Sequence, residues 1–262
     1  MPSRLTRISV CTVALAAAGS AFYGVGAATA DNSVPRTDKE IPNITKVEDS
    51  INAFYGGKAD ASGAYQASPT SNYAKQVKGI ETKAKRQIAD AARHTAHGRK
   101  PAIVLDVDDT TLLTYDYEKK NGFAYNAKAF DDYVQSAQSV AVFGMPDVVN
   151  YAAKKGVTVF FLTGRAETQR TASAVNLTKA GYGVPVDKAH FYLQDKTSTP
   201  SYLSCASPTW SCTTVQFKSG TRKHIESLGY TIVANFGDQY SDLSGGFADK
   251  TYKLPNPMYF LP

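Results

Sequence analysis

Cysteine is scarce in this chain of 262 residues: there are three, and Cys11 falls within the first thirty positions. The remaining pair, Cys205 and Cys212, has only His190 and His224 as outlying partners, which is not zinc-finger spacing. No block of five or more Lys or Arg occurs, so the electrostatic footprint of a nucleic-acid polymer is missing. No internal repeat is visible, which removes solenoids and propellers. Nor is there a twin-arginine pair near the start, leaving general secretion as the simpler export route for any leader.

A leader is what the first stretch resembles. Arg4 and Arg7 precede an Ala-rich segment from about Ile8 to Ala28, and Ala28-Thr29-Ala30 is a small-x-small cleavage pattern. Residues 1–30 read as a signal peptide cut after Ala30, giving a secreted protein with no membrane association afterwards; an uncleaved anchor is the alternative, opposed by the Gly and Ser in the segment. Removing Arg4 and Arg7 from the 29 basic residues leaves 27 against 23 acidic, a formal +4. That surface is mildly basic and draws small anions only weakly. In an oxidising compartment Cys205 and Cys212 would close a local disulfide around Pro208 and Trp210, two free thiols being the other possibility.

The periodicity predicts an α/β fold. Thr45-Lys46-Val47-Glu48 has the form of a capping box, and Val47, Ile51 and Phe54 follow at helical spacing up to Gly56-Gly57. Residues 58–71 read as a loop. Tyr73, Val77, Ile80, Ala84, Ile88 and Ala91 then form one stripe of a long helix ending at His97-Gly98. Apolar strands are expected at 102–107, 157–162, 189–193, 231–236 and 251–254, separated by helices, as in a Rossmann-like parallel sheet with helices on both faces. Residues 31–99 form an N-terminal helical appendage. Residues 100–262 form the core, with a small cap insertion at about 112–156.

The chain is organised around Ile103 to Thr110, where an apolar run meets Asp106, Asp108 and Asp109. A buried strand ending in three acids needs a cation, an anionic ligand bridged by one, or a solvated loop. A calcium loop of the EF-hand type fails, because its Gly and Glu positions hold Thr111 and Tyr117. Other strands also end in chemistry: Thr163 after one, Asp238 and Asp242 after another, with Lys218 at a helix start. In an open parallel sheet, ligands bind outside the carboxyl ends of the strands. This inventory suits a phosphate held between a divalent cation and an ammonium.

Asp106-x-Asp108-x-Thr110, Thr163, Lys218 and Gly237-Asp238-x-x-x-Asp242 resemble, in order, the four motifs of the haloacid dehalogenase superfamily. The closer resemblance is to its acid phosphatase branch, the bacterial class B-like enzymes related to plant vegetative storage proteins. It is carried by Phe130-Asp131-Asp132, Phe161-Leu162-Thr163-Gly164-Arg165, Phe217-Lys218-Ser219 and the run from Gly237 to Leu243, and covers about residues 70–255. It implies Asp106 as nucleophile, Asp108 as acid and base, and Thr163 and Lys218 on the phosphoryl oxygens. It also implies Mg²⁺ on Asp106, the Asp108 carbonyl and Asp238, with Asp242 a ligand or a brace.

The function expected is therefore a secreted, Mg²⁺-dependent acid phosphatase acting on small phosphomonoesters. A storage or phosphate-binding protein on the same fold is the alternative; a dehalogenase, lacking need of Asp108, and a mutase follow behind. Lys196 competes with Lys218 for the phosphate. Asp109 is expected to be a solvated or helix-capping acid, Arg165 either a surface or an ion-paired residue, and Tyr115, Tyr117 and Tyr125 either a leaving-group pocket or cap core. Oligomeric state has no signature here.

Overall fold

The computed structural model describes residues 37–94 and 98–261; the leader, its cleavage point and His97 lie outside the described residues. The chain divides into two units, residues 1–47 and 48–262. Of the first, residues 37–47 are described, a polar turn entering helix α1 (Ile44–Tyr55). The cap is not Thr45: the Asn43 side chain accepts the Thr45 N–H at 3.1 Å, because a short Asx oxygen two residues ahead meets an orphan amide directly.

In the second unit, residues 58–71 are not wholly loop. Strands β1 (Lys58–Ala59) and β2 (Tyr65–Gln66) pair antiparallel, too briefly for any alternation to show in sequence. Helix α2 (Asn72–His94) buries Tyr73, Val77, Ala84 and Ile88 on one stripe, each worth up to about 1.5–3 kcal/mol when large and fully buried.

The central sheet is parallel throughout. It comprises β3 (Lys100–Leu105), β6 (Thr158–Ala166), β7 (Phe191–Gln194), β8 (Tyr230–Gly237) and β9 (Thr251–Lys253), in the order β7-β6-β3-β8-β9. Between β3 and β6 the chain forms a small insertion: a hairpin of β4 (Leu112–Leu113) and β5 (Val140–Ala141) enclosing helices α3 (Tyr115–Lys120) and α4 (Ala127–Ser136). The Asn126 side chain caps α4 by accepting the Ala129 N–H at 3.0 Å. Helices α5 (Met145–Lys154), α6 (Arg170–Lys179), α7 (Thr214–Ser227) and the single turn α8 (Tyr240–Leu243) complete the fold.

Strand alternation sorts the core into two layers. Ile103, Leu105, Val159 and Phe161 pack with α2, α5 and α6 on one face; Ala102, Val104, Phe160 and Leu162 meet Phe217 and Ile225 of α7 on the other. A register shift leaves Val233 as an extra residue, with Ala102 opposite Ile232 but Ile103 opposite Ala234. Cys205 and Cys212 are joined as a disulfide beneath α7, as the even pair predicts. The sequence leaves β3 to build β6 and β7 on one side, then returns to build β8 and β9 on the other. That reversal puts the topological switch point beside the carboxyl end of β3.

Candidate active site

A cavity of about 690 Å³ opens over the carboxyl ends of β3, β6 and β8, lined among others by Asp106, Asp108, Arg165, Lys218, Asp238 and Asp242. The strands aim these groups. Asp106 is the residue after β3, buried to 7 % exposure, and its N–H donates to the Phe236 carbonyl at 3.0 Å, tying β3 to β8. Gly237 ends β8 where a Cβ would fall 2.3 Å from the Asp242 Cβ, so a side chain there would evict Asp242.

Lys218, on the inward face of α7, reaches into this acid cluster. Its ammonium pairs with Asp106, with Asp242 at 2.7 Å, and donates to the Leu162 carbonyl at 3.0 Å, committing all three N–H donors. Burial pulls the Lys218 ammonium down, but Asp106 and Asp242 overcome it and hold the charge above its ordinary range. Burial drives the Asp106 carboxyl well up, against the pull of Lys218 and with the help of Asp242, Asp238 and Asp108. Asp238 is pushed up to about 6 by burial and by Asp242, although Asn256 and Gln239 donate to its Oδ2, each at 2.7 Å. One ammonium thus leaves the cluster short of positive charge.

The cluster fits a hard divalent cation. Carboxylate oxygens of Asp106, Asp238 and Asp242 lie within 4.8 Å of one another, an all-oxygen donor set. Asp106 Oδ2 accepts no hydrogen bond from the described residues, and Asp238 Oδ1 takes only a long one from Thr110 at 3.3 Å. Both oxygens of Asp242 are already engaged, by Lys218 and by the Gln239 N–H at 2.9 Å. Free lone pairs therefore sit on Asp106 and Asp238.

The remaining expected residues fall in different places. Asp108 faces the cavity, paired with the Arg165 guanidinium at 2.6 Å, and Arg165 also donates to Ser173 Oγ at 2.8 Å. Arg165 is thus buried and ion-paired, not a surface arginine. Thr163 is fully buried, its hydroxyl accepting the Arg165 N–H at 3.2 Å, and the cavity wall at this point is made by Gly164 and Arg165 instead. Lys196 lines the outer cavity with its ammonium 5.9 Å from the Trp210 ring centre, away from the acid cluster.

Asp109 corrects the expectation of a solvated acid. It is completely buried at φ +53°, a left-handed conformation that Asp tolerates better than most residues. It accepts from the Thr114 N–H at 2.9 Å, the Thr114 hydroxyl at 2.6 Å and the Tyr259 hydroxyl at 2.7 Å. The chain turns after Asp108, so the extended geometry that would send Asp109 outward does not persist. Of the three tyrosines, Tyr125 lines the cavity, whereas Tyr115 stacks on Tyr55 at 4.5 Å and Tyr117 packs against Phe130.

Sequence reasoning missed Glu118, Gln239, Asn256, Tyr259 and Arg222. Glu118 lines the cavity at 5 % exposure. Arg222 lies buried behind it all, donating to the carbonyls of Asp242 at 2.6 Å, Gly246 at 2.9 Å, and Ser244.

Fold and site together define a doubly wound α/β protein with an acidic, cation-competent centre at its switch point. The chain belongs to the HAD superfamily, subfamily IIIB (Acid phosphatase), whose family profile matches residues 57–262. It is 30% identical over 167 residues to the stem 28 kDa glycoprotein of Glycine max, covering 62% of this chain and 61% of that one. It is 30% identical over 162 residues to acid phosphatase 1 of Solanum lycopersicum, covering 60% and 58%. The alignment thus spans about three fifths of these relatives. Among solved structures it resembles the class C acid phosphatase from Bacillus anthracis, with a TM-score of 0.54, 25% identity, and coverage of 71% of this chain and 80% of that one.

Proposed function

We propose that this protein is a secreted acid phosphatase that hydrolyses small phosphomonoesters through a phosphorylated Asp106. The observation that carries the reading is the pair of cavity-facing carboxylates, Asp106 and Asp108, after one strand, with Lys218, Asp238 and Asp242 closing around Asp106. Among the described residues Asp106 Oδ2 has no donor, and it is the oxygen available to attack phosphorus. As the Asp106–phosphorus bond forms, the ester P–O bond breaks and Asp108 delivers a proton to the departing alkoxide. Asp108 then takes a proton from water as that water attacks phosphorus. The Asp106 O–P bond breaks, inorganic phosphate leaves, Asp106 returns as a carboxylate and Asp108 as a carboxylic acid.

The charged partners fit these roles. A phosphoryl dianion entering beside Arg165 competes with Asp108 for the guanidinium and frees Asp108 to carry a proton. The N–H that Lys218 gives to Asp106 passes to a phosphoryl oxygen as Asp106 turns to bond phosphorus. Thr163 holds the Arg165 amide and orients the end of β6, and its hydroxyl would reach the phosphate from there. Mg²⁺ held by Asp106, Asp238 and the Asp108 carbonyl, with Asp242 as a brace, would supply the charge neutralisation that lets a carboxylate approach a dianion.

An acidic optimum follows from the need for a protonated Asp108. Secretion is supported by the leader pattern and by the Cys205–Cys212 disulfide; among the described residues no helix is long and apolar enough to cross a membrane. Residues 31–99 and the insertion at 112–156 would serve as a helical appendage and an open cap. The test is phosphate release from an aryl phosphate with Mg²⁺ at about pH 5–6. We expect turnover that a chelator stops and Mg²⁺ restores; no release under any of these conditions would sink the reading, and retained full activity after chelation would remove the metal.

A further inference from the structure

Beyond the acid cluster the cavity has a second wall, supplied by the insertion between β4 and β5. Glu118 projects there from α3. It is 5 % exposed, and no described residue donates a hydrogen bond or forms an ion pair to its carboxylate. Every other acid on the cavity wall has such a partner, as in Arg170 on Glu167 or the Thr197 and Ser198 amides on Asp195. A buried carboxylate without a partner is expensive to keep, on the order of several kcal/mol if charged. Burial, and next the charge of Asp108, push it up to about 7. Once it is charged, a cation arriving with the substrate would compensate it.

Its surroundings say what kind of group. Phe123, Tyr125 and Phe130 line the same cavity, with the rings of Tyr125 and Phe130 5.9 Å apart. Aromatic faces and a carboxylate in one cavity are chemistry that recognises an organic cation, and the Phe123 ring already has the Lys119 ammonium 5.9 Å from its centre. The charge balance points the same way. Seven acidic side chains line the cavity against three basic ones. Glu118 lines the same cavity as Asp108, the acid that protonates the departing alkoxide.

We propose that Glu118, together with Phe123, Tyr125 and Phe130, forms a leaving-group subsite that selects phosphomonoesters of ammonium-bearing alcohols, primary or quaternary. This rests on the phosphatase reading and extends it from the phosphoryl end of the cavity to the other. Glu118 acts on specificity: it touches the part of the substrate that leaves, while the proton goes through Asp108.

The test compares 2-(trimethylammonio)ethyl phosphate with its neutral isostere, 3,3-dimethylbutyl phosphate, on the full-length protein at about pH 7, where Glu118 titrates. The wild type should favour the cationic ester in kcat/KM by about tenfold or more, and Glu118→Gln should bring the ratio to within about threefold of unity. A ratio near unity in the wild type, or one that survives Glu118→Gln, overturns the subsite. Should the variant not fold, competitive inhibition of the wild type decides: the free trimethylammonio alcohol must bind more tightly than the neutral alcohol, and equal inhibition overturns the proposal. Cleavage of both esters without charge preference leaves the phosphatase standing, whereas release of phosphate from neither removes both.

Discussion

At the phosphoryl end of the cavity, Asp106, Asp238 and Asp242 follow strands of the central sheet and are held by Lys218, Gln239, Asn256 and Thr110. At the other end, Glu118 sits on a six-residue helix of an insertion with no partner for its carboxylate among the described residues, in a cavity lined by rings of which Tyr125 is mostly exposed. The first end is fixed before substrate arrives; the second is completed by it. Chemistry that needs positioning to fractions of an ångström belongs on the sheet, and discrimination among leaving groups can be left to a replaceable insertion.

The sharpest way to break this contrast is Asp106→Asn, which removes the attacking oxygen and keeps the shape. Turnover should fall by about ten-thousandfold or more, measured as phosphate release with the far-ultraviolet spectrum unchanged. Full activity in that variant would mean the phosphoryl end had been misassigned. Next is Arg222→Leu, which strands three carbonyls of the loop that carries Asp242. We expect a loss of about 3–5 kcal/mol in denaturant unfolding, with activity lost in parallel; a change below about 1 kcal/mol would show that the sheet end does not depend on this brace.

The smallest effect probes the insertion. Glu118 rises from 4.5 to about 7 in the fold, so the native state binds its proton more tightly than the unfolded chain. Its contribution to stability is complete below pH 4.5 and is lost as pH rises through 7. In metal-free protein, Glu118→Gln should match the wild type near pH 4 and exceed it by about 3 kcal/mol at pH 8. A gap that does not vary with pH would mean Glu118 is compensated after all.

How much of this the sequence carried depended on distance along the chain. The five sheet strands were legible because β-branched and aromatic runs end abruptly in polar residues, as Val157–Leu162 does at Thr163. The acids were legible because they follow such strands, and Lys218 because it lies in the second turn of a helix between them. Helix α3 was not, since six residues give no periodicity to read. Nor were the partners. Arg165 finds Asp108 across 57 positions, Asn256 finds Asp238 across 18 and Tyr259 finds Asp109 across 150, and nothing local marks any of them. Asp109 misled for a related reason, because its left-handed turn is imposed by Thr114 and Tyr259 and not by its neighbours in the strand.

The Tyr259–Asp109 hydrogen bond, with Lys218 on Asp106 across 112 positions, also bears on the order in which the molecule comes together. Helices such as α2 close over four residues and form early, while these contacts wait for loops of a hundred residues or more to shut. A chain can hold most of its helix and strand and still present no assembled centre. Catalytic competence in this protein is therefore a report on complete folding, and secondary-structure content is not.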